Sequence, residues 1–343
     1  MKIALDATYS LGSNLSGVGV YSREILFGLS RAHPEASYLF CYRSHRLLRS
    51  LADRLPSNAT RRLLGDRRGP SADLFHGLNQ RLGNTPYRRR VTTFHDLFVI
   101  SGDYSTPDFR DRFTAQARDA AQRSDLIIAV SAFTARQVEQ LLQVEPSRIR
   151  VVQHGVRPVP NLRTTLPREP IILSVGAIQR RKNIVRLVEA FEHTPAEWKL
   201  VLAGSLGFDS DAARERIEHS PRKHDIQMLG YVSDPELEAL YQRVSVLAFP
   251  SLDEGFGMPI LDAMARGVPV LTSNVSAMPA VAGGAALLVD PTDVRSIADG
   301  LCQLAANPAL RHTLIGAGFA QATKFTWEKS VEATWNVYGE LLG

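Results

Sequence analysis

Apolar and polar residues follow two recurring patterns along the chain. Short apolar runs bounded by turn residues are typical of buried strands, and longer stretches with an apolar stripe at helical spacing are typical of helices. The two patterns alternate in both halves, which predicts two Rossmann-like, doubly wound α/β domains. The predicted strands are IALDA, YLFCY, LFHG, VTTFHD and LIIAVS, followed by IILSVG, WKLVLAG, IQMLG, VLAFP and VPVLTS. The predicted helices include residues 19–32, 110–123, 184–191, 234–243 and 258–266.

A proline-rich segment separates the two predicted domains. Residues 154–170, HGVRPVPNLRTTLPREP, contain four prolines and little periodicity, so we interpret them as the interdomain linker. The first domain is then expected over residues 1–158 and the second over residues 159–326. The last helix, at 327–343, has a broad apolar face. Periodicity alone leaves open whether that face covers the second domain or the first.

Composition indicates a soluble globular protein. The 343 residues are enough for two domains with cores of their own, and the fractions of 44% hydrophobic and 22% charged residues are ordinary. The first apolar stretch is interrupted by Asp6 and is too short for a signal peptide, and no window approaches about 18 uninterrupted apolar residues. Cys41 and Cys302 lie far apart in the sequence, so we expect no disulfide, which fits a reducing cytoplasm.

The net charge is unevenly distributed. Residues 1–158 carry a balance of +9, whereas residues 159–343 carry −4. Nucleic-acid binding is disfavoured, because no aromatic platform or recognised nucleic-acid module accompanies the arginines. The basic half instead suggests a surface for an acidic acceptor or for an anionic membrane face.

One basic segment, residues 44–68, also has a leucine stripe. Its residues Leu47, Leu48, Leu51 and Leu55 share one helical face, with Arg46, Arg49 and Arg54 around it. This pattern is typical of a helix lying in a membrane interface. An ordinary surface helix that packs its leucines into the core produces the same stripe, so both interpretations stay open.

A glycine-rich turn between a strand and a helix is the strongest candidate for a binding site. In FPSLDEGFGMPILDAMARG, Gly255 and Gly257 let the backbone approach a ligand, and Pro259 suits a first helical turn. Free N–H groups and the positive end of the helix dipole then favour an anion. Glu254 and Asp262 are eight residues apart, one on the loop and one on the helix, so a phosphorylated ligand could be held between them.

A second candidate, VGAIQRRKN, also follows a buried strand and precedes a helix. Arg181 and Lys182 therefore emerge at the carboxyl end of the sheet, where α/β folds bind ligands, and can neutralise a diphosphate. We expect Arg180 to be the exposed member of the three cations. A solvated basic turn is the alternative, which the nearby carboxylate loop disfavours.

Two weaker candidates lie in the first half. Gly17 and Gly19, in SGVG, could let a turn approach a ligand, or could form a tight turn without one. The motif is not a G-x-G-x-x-G fingerprint, which disfavours a nicotinamide or flavin enzyme. His95 and Asp96 end the strand VTTFHD, where they could contact a substrate. A His–Asp pair is more often structural, and no nucleophile motif supports a hydrolytic triad.

Taken together, these motifs resemble those of the retaining glycosyltransferases with the GT-B fold, group 1 (family 4). Glu254 and Asp262 match the E-x7-E signature of that family, with Asp where the family usually has Glu. A carboxylate one methylene shorter can still accept a hydrogen bond from a ribose hydroxyl. The other matching motifs, in family order, are SGVG at 16–19, HDL at 95–97, SAFTARQV at 131–138, HGV at 154–156, VGAIQRRKN at 175–183, LGYVSDPEL at 229–237 and FTWEKSVEATWNVYGELL at 325–342.

The resemblance implies a role for each matching residue. It implies that Arg181 and Lys182 bind the donor pyrophosphate, that Glu254 holds the sugar hydroxyls, and that the last helix crosses back to the first domain. It also implies a central cleft between the domains. The residues themselves indicate no metal, because there is no D-x-D pair in a plausible site and no Cys/His cluster with ligand spacing, and the cations and the helix N-terminus supply the charge of a magnesium ion. No cofactor is expected. The implied catalytic residues are Glu254, Lys182, Arg181 and His95; the implied substrate-binding residues are Gly17, Gly19, Asp96, Tyr231, Val232, Gly255, Phe256, Gly257, Met258 and Asp262.

The implied reaction is transfer of a hexose from a nucleotide diphosphate sugar to a hydroxyl acceptor, with retention of anomeric configuration. GDP-mannose or a UDP-hexose is the expected donor, and a lipid-linked saccharide for a cell-surface polysaccharide is the expected acceptor. The expected location is the cytoplasm, with peripheral contact at the inner membrane face. Two alternatives are a nucleotide-sugar-binding protein without transferase activity and a nucleotide-sugar epimerase or hydrolase.

Overall fold

The computed structural model describes residues 1–12, 14–65, 72–83, 85–157, 159 and 168–343. They divide into two compact units, one formed by Met1–Gly155 with Thr326–Gly343 and the other by Val156–Phe325. Much of the predicted interdomain linker, residues 158 and 160–167, lies outside the described residues.

The first unit is a parallel sheet covered by helices. Its strand order is β3-β2-β1-β4-β5-β6-β7, and every neighbouring pair is parallel. Both faces of the central strands are buried, which explains why they are continuous apolar runs. The elements are β1 Lys2–Asp6, α1 Gly17–Ala32, β2 Ser37–Tyr42, α2 Ser44–Ser50, β3 Ala59–Leu63, β4 Leu74–Gly77, β5 Arg89–Phe94, α3 Phe98–Ser101, α4 Pro107–Arg123, β6 Leu126–Ala129, α5 Ala132–Leu142 and β7 Ile149–Val151.

Side-chain caps determine where several of these helices begin. Ser16 accepts a hydrogen bond from the Gly19 N–H at 3.3 Å, so α1 begins at Gly17, two residues before its predicted start. Thr106 caps α4 in the same way. Ser131 caps α5, since it accepts a hydrogen bond from the Thr134 N–H at 3.0 Å.

The leucine-and-arginine stripe does not form one long helix. Helix α2 ends at Ser50, and the chain then turns toward strand β3. Leu48 is 80% exposed and Leu51 is 65% exposed, whereas Leu47 and Leu55 are partly buried. The stripe is therefore split between the core and solvent. The described residues of this segment end at Gly65.

The second unit is a second parallel sheet, with the strand order β10-β9-β8-β11-β12-β13. A hydrophobic core cluster joins β8, β9 and β11 to helices α6, α7 and α11. The elements are β8 Glu169–Val175, α6 Ile184–Phe191, β9 Lys199–Ala203, α7 Ser210–Glu218, β10 Ile226–Gly230, α8 Asp234–Arg243, β11 Val244–Phe249, α9 Met258–Ala265, β12 Val270–Ser273, α10 Met278–Ala282, β13 Leu287–Val289, α11 Val294–Ala306 and α12 Pro308–Ala322.

The last helix, α13 (Trp327–Leu342), belongs to the first unit and packs along α1. A Cβ atom on Gly28 would lie 2.4 Å from a Val331 methyl, so the two helices can approach this closely only with glycine there. His33, at the end of α1, stacks on the Trp335 ring with centroids 3.8 Å apart. The apolar face that periodicity could not assign therefore covers the first sheet.

A chain of buried hydrogen bonds anchors α13 to that sheet. The Tyr338 hydroxyl lies 2.6 Å from His76 Nδ1, and His76 Nε2 lies 2.8 Å from Thr93 Oγ1. Thr93 Oγ1 is in turn 2.9 Å from the Tyr21 hydroxyl of α1. The Tyr21 ring meets the edge of His95, with ring centroids 4.7 Å apart. Four elements of the first unit thus share one polar network.

Burial keeps the histidines of this region neutral. It lowers the pKa of His76 to about 3 and that of His95 to about 4. The pKa of His154, whose ring stacks on His95 at 5.3 Å, is lowered as well for the same reason. Protonation of these rings would place positive charge in a dry core, so the folded state resists it.

We therefore expect the protein to lose stability as the pH falls. An unfolded histidine binds a proton below about pH 6.5, whereas folded His76 and His95 do not, so stability is present above that pH and is lost below it. Between about pH 7 and pH 5 the free energy of unfolding should fall by about 2 kcal/mol for each of the two residues. Urea titrations at several pH values measure this slope. His95→Asn should reduce it, and His45→Asn, on the exposed side of α2, should not; an unchanged slope in His95→Asn would contradict the assignment.

Candidate functional site

Two loops of the second unit meet at an ion cluster. The loop after β8 carries Arg181 and Lys182, and the loop after β11 carries Glu254. Lys182 Nζ lies 2.5 Å and Arg181 Nη1 lies 2.7 Å from Glu254 Oε1. The three side chains are only 9–11% exposed. The structure thus brings together the two cations and the first carboxylate, while Arg180 is exposed as predicted.

The cluster keeps Glu254 ionised. Burial alone would raise the pKa of its carboxyl group, but Arg181 and Lys182 outweigh burial and hold the pKa at about 2. Glu254 therefore acts as a hydrogen-bond acceptor at neutral pH and does not supply a proton. Its charge also neutralises part of the charge on the two cations.

The position of this cluster follows from the strand order. Strands β8 and β11 are neighbours, and the order of strands reverses between them. Loops at such a switch point diverge from the carboxyl ends of the strands and leave room for a ligand. Lys182 lies beside Gly176, where φ is +131° and a Cβ atom would come within 3.0 Å of Lys182 Cε.

Asn183 holds the two loops in register. It adopts the left-handed conformation at φ +61°, between the short 3-10 turn Arg180–Lys182 and helix α6. Its side-chain amide donates to the carbonyls of Pro250, at 3.0 Å, and Pro291, at 2.7 Å. The Leu252 N–H also donates to the Arg181 carbonyl at 2.8 Å. Sequence reasoning did not identify Asn183, although an asparagine between two elements is a recognised signal for this conformation.

The glycine-rich turn leads directly from Glu254 into helix α9. Gly257 has φ +103°, a value that favours glycine, and α9 begins at Met258 with Pro259 in its first turn. Gly255 and Phe256 are buried, and the Phe256 ring meets the edge of Phe325. The turn is therefore fixed by packing, and its backbone amides begin the helix as the sequence predicted.

Asp262 lies apart from the ion cluster in its contacts. Asp262 lies on α9 and accepts hydrogen bonds from Arg266. Arg266 Nη1 is 3.0 Å from the Asp262 carbonyl oxygen and 3.4 Å from Asp262 Oδ1. Arg266 Nε also donates to Glu238 Oε2 of α8 at 2.7 Å. The Asp262 side chain remains 35% exposed. The second carboxylate of the predicted pair is thus held by a cation from its own helix.

Tyr231 and Val232, two of the predicted substrate-binding residues, follow strand β10. Tyr231 is 47% exposed, and Val232 is partly buried. The next residue, Ser233, caps α8 with a reciprocal hydrogen bond to Glu236, so the backbone here is well defined. The Gly204 N–H donates to the Gly230 carbonyl at 2.8 Å and joins this loop to the end of β9.

In the first unit, His95 has a defined tautomer. Its Nε2 lies 2.9 Å from the Leu78 carbonyl, which can only accept, so Nε2 carries the proton and Nδ1 is a hydrogen-bond acceptor. Asp96 follows His95 and is partly exposed. The network of His76, Tyr21 and Tyr338 behind His95 was not found from the sequence, because its members lie far apart along the chain.

The glycines of SGVG have different surroundings. Gly17 is exposed at the first position of α1, whereas Gly19 is buried. A Cβ atom on Gly19 would lie 2.9 Å from the Tyr9 carbonyl, so Gly19 is required by packing.

The described residues contain no group of three or more His, Cys, Asp or Glu side chains placed to hold a metal ion. Within the same residues, no helix is both long enough and apolar enough to cross a membrane.

Comparison with known proteins identifies the family of the chain. Residues 163–321 match the sequence model of the family described as glycosyl transferases group 1, and residues 68–159 match that of glycosyltransferase family 4. The O-antigen chain mannosyltransferase B of Escherichia coli is 32% identical over 283 residues, which cover 77% of this chain and 74% of that protein.

Solved structures show the same fold. Sucrose-phosphate synthase from Thermosynechococcus elongatus matches with a TM-score of 0.78 and 21% identity over 99% of each chain. Anabaena HepE in complex with UDP-glucose matches with a TM-score of 0.75 and 17% identity, over 99% of this chain and 100% of that chain. The chain therefore belongs to the group 1, family 4 glycosyltransferases, and its two α/β units have the GT-B fold.

Proposed function

We propose that this glycosyltransferase moves a hexose, with retention of anomeric configuration, from a nucleotide diphosphate sugar to a saccharide hydroxyl. The observation that supports the proposal is the ion cluster of Arg181, Lys182 and Glu254, which places two cations and a permanently ionised carboxylate at the switch point of the second sheet. Two cations suit a diphosphate, and a carboxylate that stays ionised suits sugar hydroxyls.

The cations act on the leaving group. As the bond between the sugar and the diphosphate breaks, negative charge grows on the phosphate oxygens, and Arg181 and Lys182 stabilise that charge. The amides at the start of α9 add their partial positive charge to the same group. The leaving phosphate takes the proton of the acceptor hydroxyl on the same face of the sugar, so no covalent enzyme nucleophile is needed and the anomeric configuration is retained.

Other residues orient the substrates. Glu254 accepts hydrogen bonds from the hydroxyls of the transferred sugar, and the backbone of Gly255–Met258 holds the sugar and diphosphate. Neutral His95 accepts a further hydroxyl bond at Nδ1, and Asp96 contacts the acceptor. Asp262, oriented by Arg266, binds the ribose. Gly17 and Gly19 bring the start of α1 close to the substrate, and the backbone at Tyr231 and Val232 receives the base.

The relatives support a choice of substrates. The similarity to an O-antigen chain mannosyltransferase favours mannose as the hexose and a lipid-linked polysaccharide chain as the acceptor. GDP-mannose is then the preferred donor, and the UDP-glucose complex of HepE supports a UDP-hexose as the second choice. The reaction is metal-independent in this proposal, because Arg181, Lys182 and the start of α9 supply the positive charge.

The exposed part of the leucine-and-arginine stripe favours peripheral binding to an anionic membrane surface. Leu48 and Leu51 are exposed beside Arg49 and Arg54, and Leu63 is 41% exposed on the neighbouring edge strand β3. Apolar side chains ringed by arginines fit a layer of anionic lipid headgroups over acyl chains. Peripheral contact with the cytoplasmic membrane face would bring the enzyme to a lipid-linked acceptor.

The diphosphate role predicts the effect of Lys182→Ala. Loss of this cation should cost at least about 2 kcal/mol of transition-state stabilisation, or about 30-fold in kcat/KM, while Arg180→Ala, on the exposed neighbour, should have little effect. The measurement is release of nucleoside diphosphate from GDP-mannose or UDP-glucose, with and without an oligomannoside acceptor. A Lys182→Ala enzyme with wild-type kcat/KM would remove the basis of the proposal. Donor consumption that ignores the acceptor would indicate a hydrolase, and binding without consumption a binding protein.

The two carboxylates should affect different steps. Glu254→Gln should lower turnover more than nucleotide affinity, because Glu254 contacts the sugar. Asp262→Asn should weaken binding of the bare nucleotide, since Asp262 contacts the ribose. Calorimetry with GDP and UDP, together with turnover assays, separates the two effects, and Asp225→Asn in the same unit is the control. The reverse pattern would exchange the two roles.

Membrane contact predicts salt-sensitive binding to vesicles. Each basic residue near an anionic surface contributes about 1 kcal/mol, and salt screens this attraction. Sedimentation with liposomes should increase with anionic lipid content, decrease with salt, and drop when Arg46, Arg49 and Arg54 are replaced together by Gln. Replacement of Arg110, Arg112 and Arg118 on α4 is a control of equal charge. Protein that stays in the supernatant at low salt with strongly anionic lipid would show that the stripe does not bind membranes.

A further inference from the structure

A second polar cluster lies at the carboxyl edge of the first sheet, among residues to which the proposed function assigns no role. Asp6 is the last residue of β1, Asn79 and Arg81 follow β4, and Arg43 follows β2. Strands β1 and β4 are paired, and the strand order of this sheet reverses between them. The cluster therefore occupies the switch point of the first sheet, where an open parallel sheet binds its ligand.

The cluster contains buried acceptor atoms that lack partners. Asp6 is 1% exposed and Asn79 is 3% exposed. One oxygen of Asp6 accepts from the Thr8 N–H at 3.0 Å, but Asp6 Oδ2 and Asn79 Oδ1 have no hydrogen-bond partner among the described residues. Buried polar atoms are nearly always paired in native proteins, because leaving one unpaired costs about 1–3 kcal/mol. Two such atoms on adjacent loops indicate that a ligand supplies the donors.

The cluster also contains donors. Arg43 and Arg81 attract the Asp6 carboxylate electrostatically, although neither forms an ion pair with it in the described part of the chain. Arg81 Nε is a further buried atom without a partner among those residues. Both arginines are partly exposed, so they lie at the boundary between the buried oxygens and solvent. A ligand reaches the oxygens when these side chains change rotamer, as interface side chains commonly do.

The combination of unpaired atoms selects the chemistry of the ligand. Asp6 Oδ2 and Asn79 Oδ1 need donors, whereas Arg81 Nε–H needs an acceptor. A hydroxyl both donates and accepts, so sugar hydroxyls suit both kinds of atom. A phosphate group only accepts at neutral pH and would face the Asp6 carboxylate and the Asn79 oxygen.

We propose that Asp6, Asn79 and Arg81 form the subsite that binds the hydroxyls of the saccharide acceptor. The assignment rests on the proposed transfer to a saccharide and adds to it the residues that recognise that saccharide. Asp6 and Asn79 accept hydrogen bonds from two hydroxyls, and Arg81 donates to one of them.

Asp6→Asn tests the proposal with little change in shape. Asn can still accept from the Thr8 N–H, but an NH2 group replaces the unpaired oxygen, so a donor faces the sugar hydroxyl. We use methyl α-D-mannopyranoside as the probe and measure its binding to the full chain by saturation-transfer NMR. Asp6→Asn and Arg81→Gln should each weaken binding at least about tenfold, the loss of a hydrogen bond to a charged group.

Controls separate this inference from the proposed function. Asp73→Asn and Arg88→Gln change the same residue types at the amino edge of the same sheet and should leave glycoside binding unchanged. Calorimetry with GDP and UDP should give the same nucleotide affinity for all four variants. Thermal melts show whether each variant is folded. Because Arg81 is partly exposed, Arg81→Gln should fold even if Asp6→Asn does not. Unchanged glycoside binding in folded Asp6→Asn or Arg81→Gln would overturn the subsite. Binding of glycerol 1-phosphate in place of the glycoside would also overturn it, in favour of an anion site. Failure of the wild-type protein to bind nucleotide sugars would count against the proposed function. The glycoside measurement would then still decide whether Asp6, Asn79 and Arg81 bind a saccharide.

Discussion

The arrangement of the ion cluster in the second unit depends on one buried carboxylate. Glu254 bonds both Arg181 and Lys182, and in doing so joins loops that are 72 positions apart in the sequence. Each charge would be costly to bury alone, and removal of one partner from such a cluster typically costs about 3–5 kcal/mol. The cations therefore need Glu254 to stay in place without a ligand. The cluster is preorganised, so in the proposed reaction little reorganisation is needed when charge develops on the leaving group.

The first unit satisfies its buried polar groups differently. His76 is neutral and fully hydrogen-bonded between Tyr338 and Thr93, and this network anchors the last helix to the sheet. Because neutral hydrogen bonds avoid the desolvation of an ion, they hold a core together at lower cost than an ion cluster. Asp6 Oδ2 and Asn79 Oδ1 differ from this network, because neither has a hydrogen-bond partner among the described residues. These two atoms belong to the subsite that we propose for the acceptor.

Parallel sheets explain why both clusters occur where they do. Within each sheet every strand points the same way, so all loops that follow its strands emerge at one edge of that sheet. In each sheet the order reverses once near the middle, between β1 and β4 or between β8 and β11, and the diverging loops there provide space. The membership in a glycosyltransferase family is consistent with this geometry, but the activity depends on which side chains the loops carry.

The sequence by itself determined the α/β class, most central elements and the loop that carries Glu254. Helices at 184–191 and 234–243 match α6 and α8, because their periodicity and caps are local properties. Tertiary structure alone decided which distant residues meet: the bond from Lys182 to Glu254, the Arg266 partner of Asp262, and the surface that the last helix covers. It also shortened the predicted stripe helix to Ser44–Ser50, because the chain must turn there to reach β3. Local patterns record which face of an element is apolar, but the partner of that face depends on how the whole chain packs.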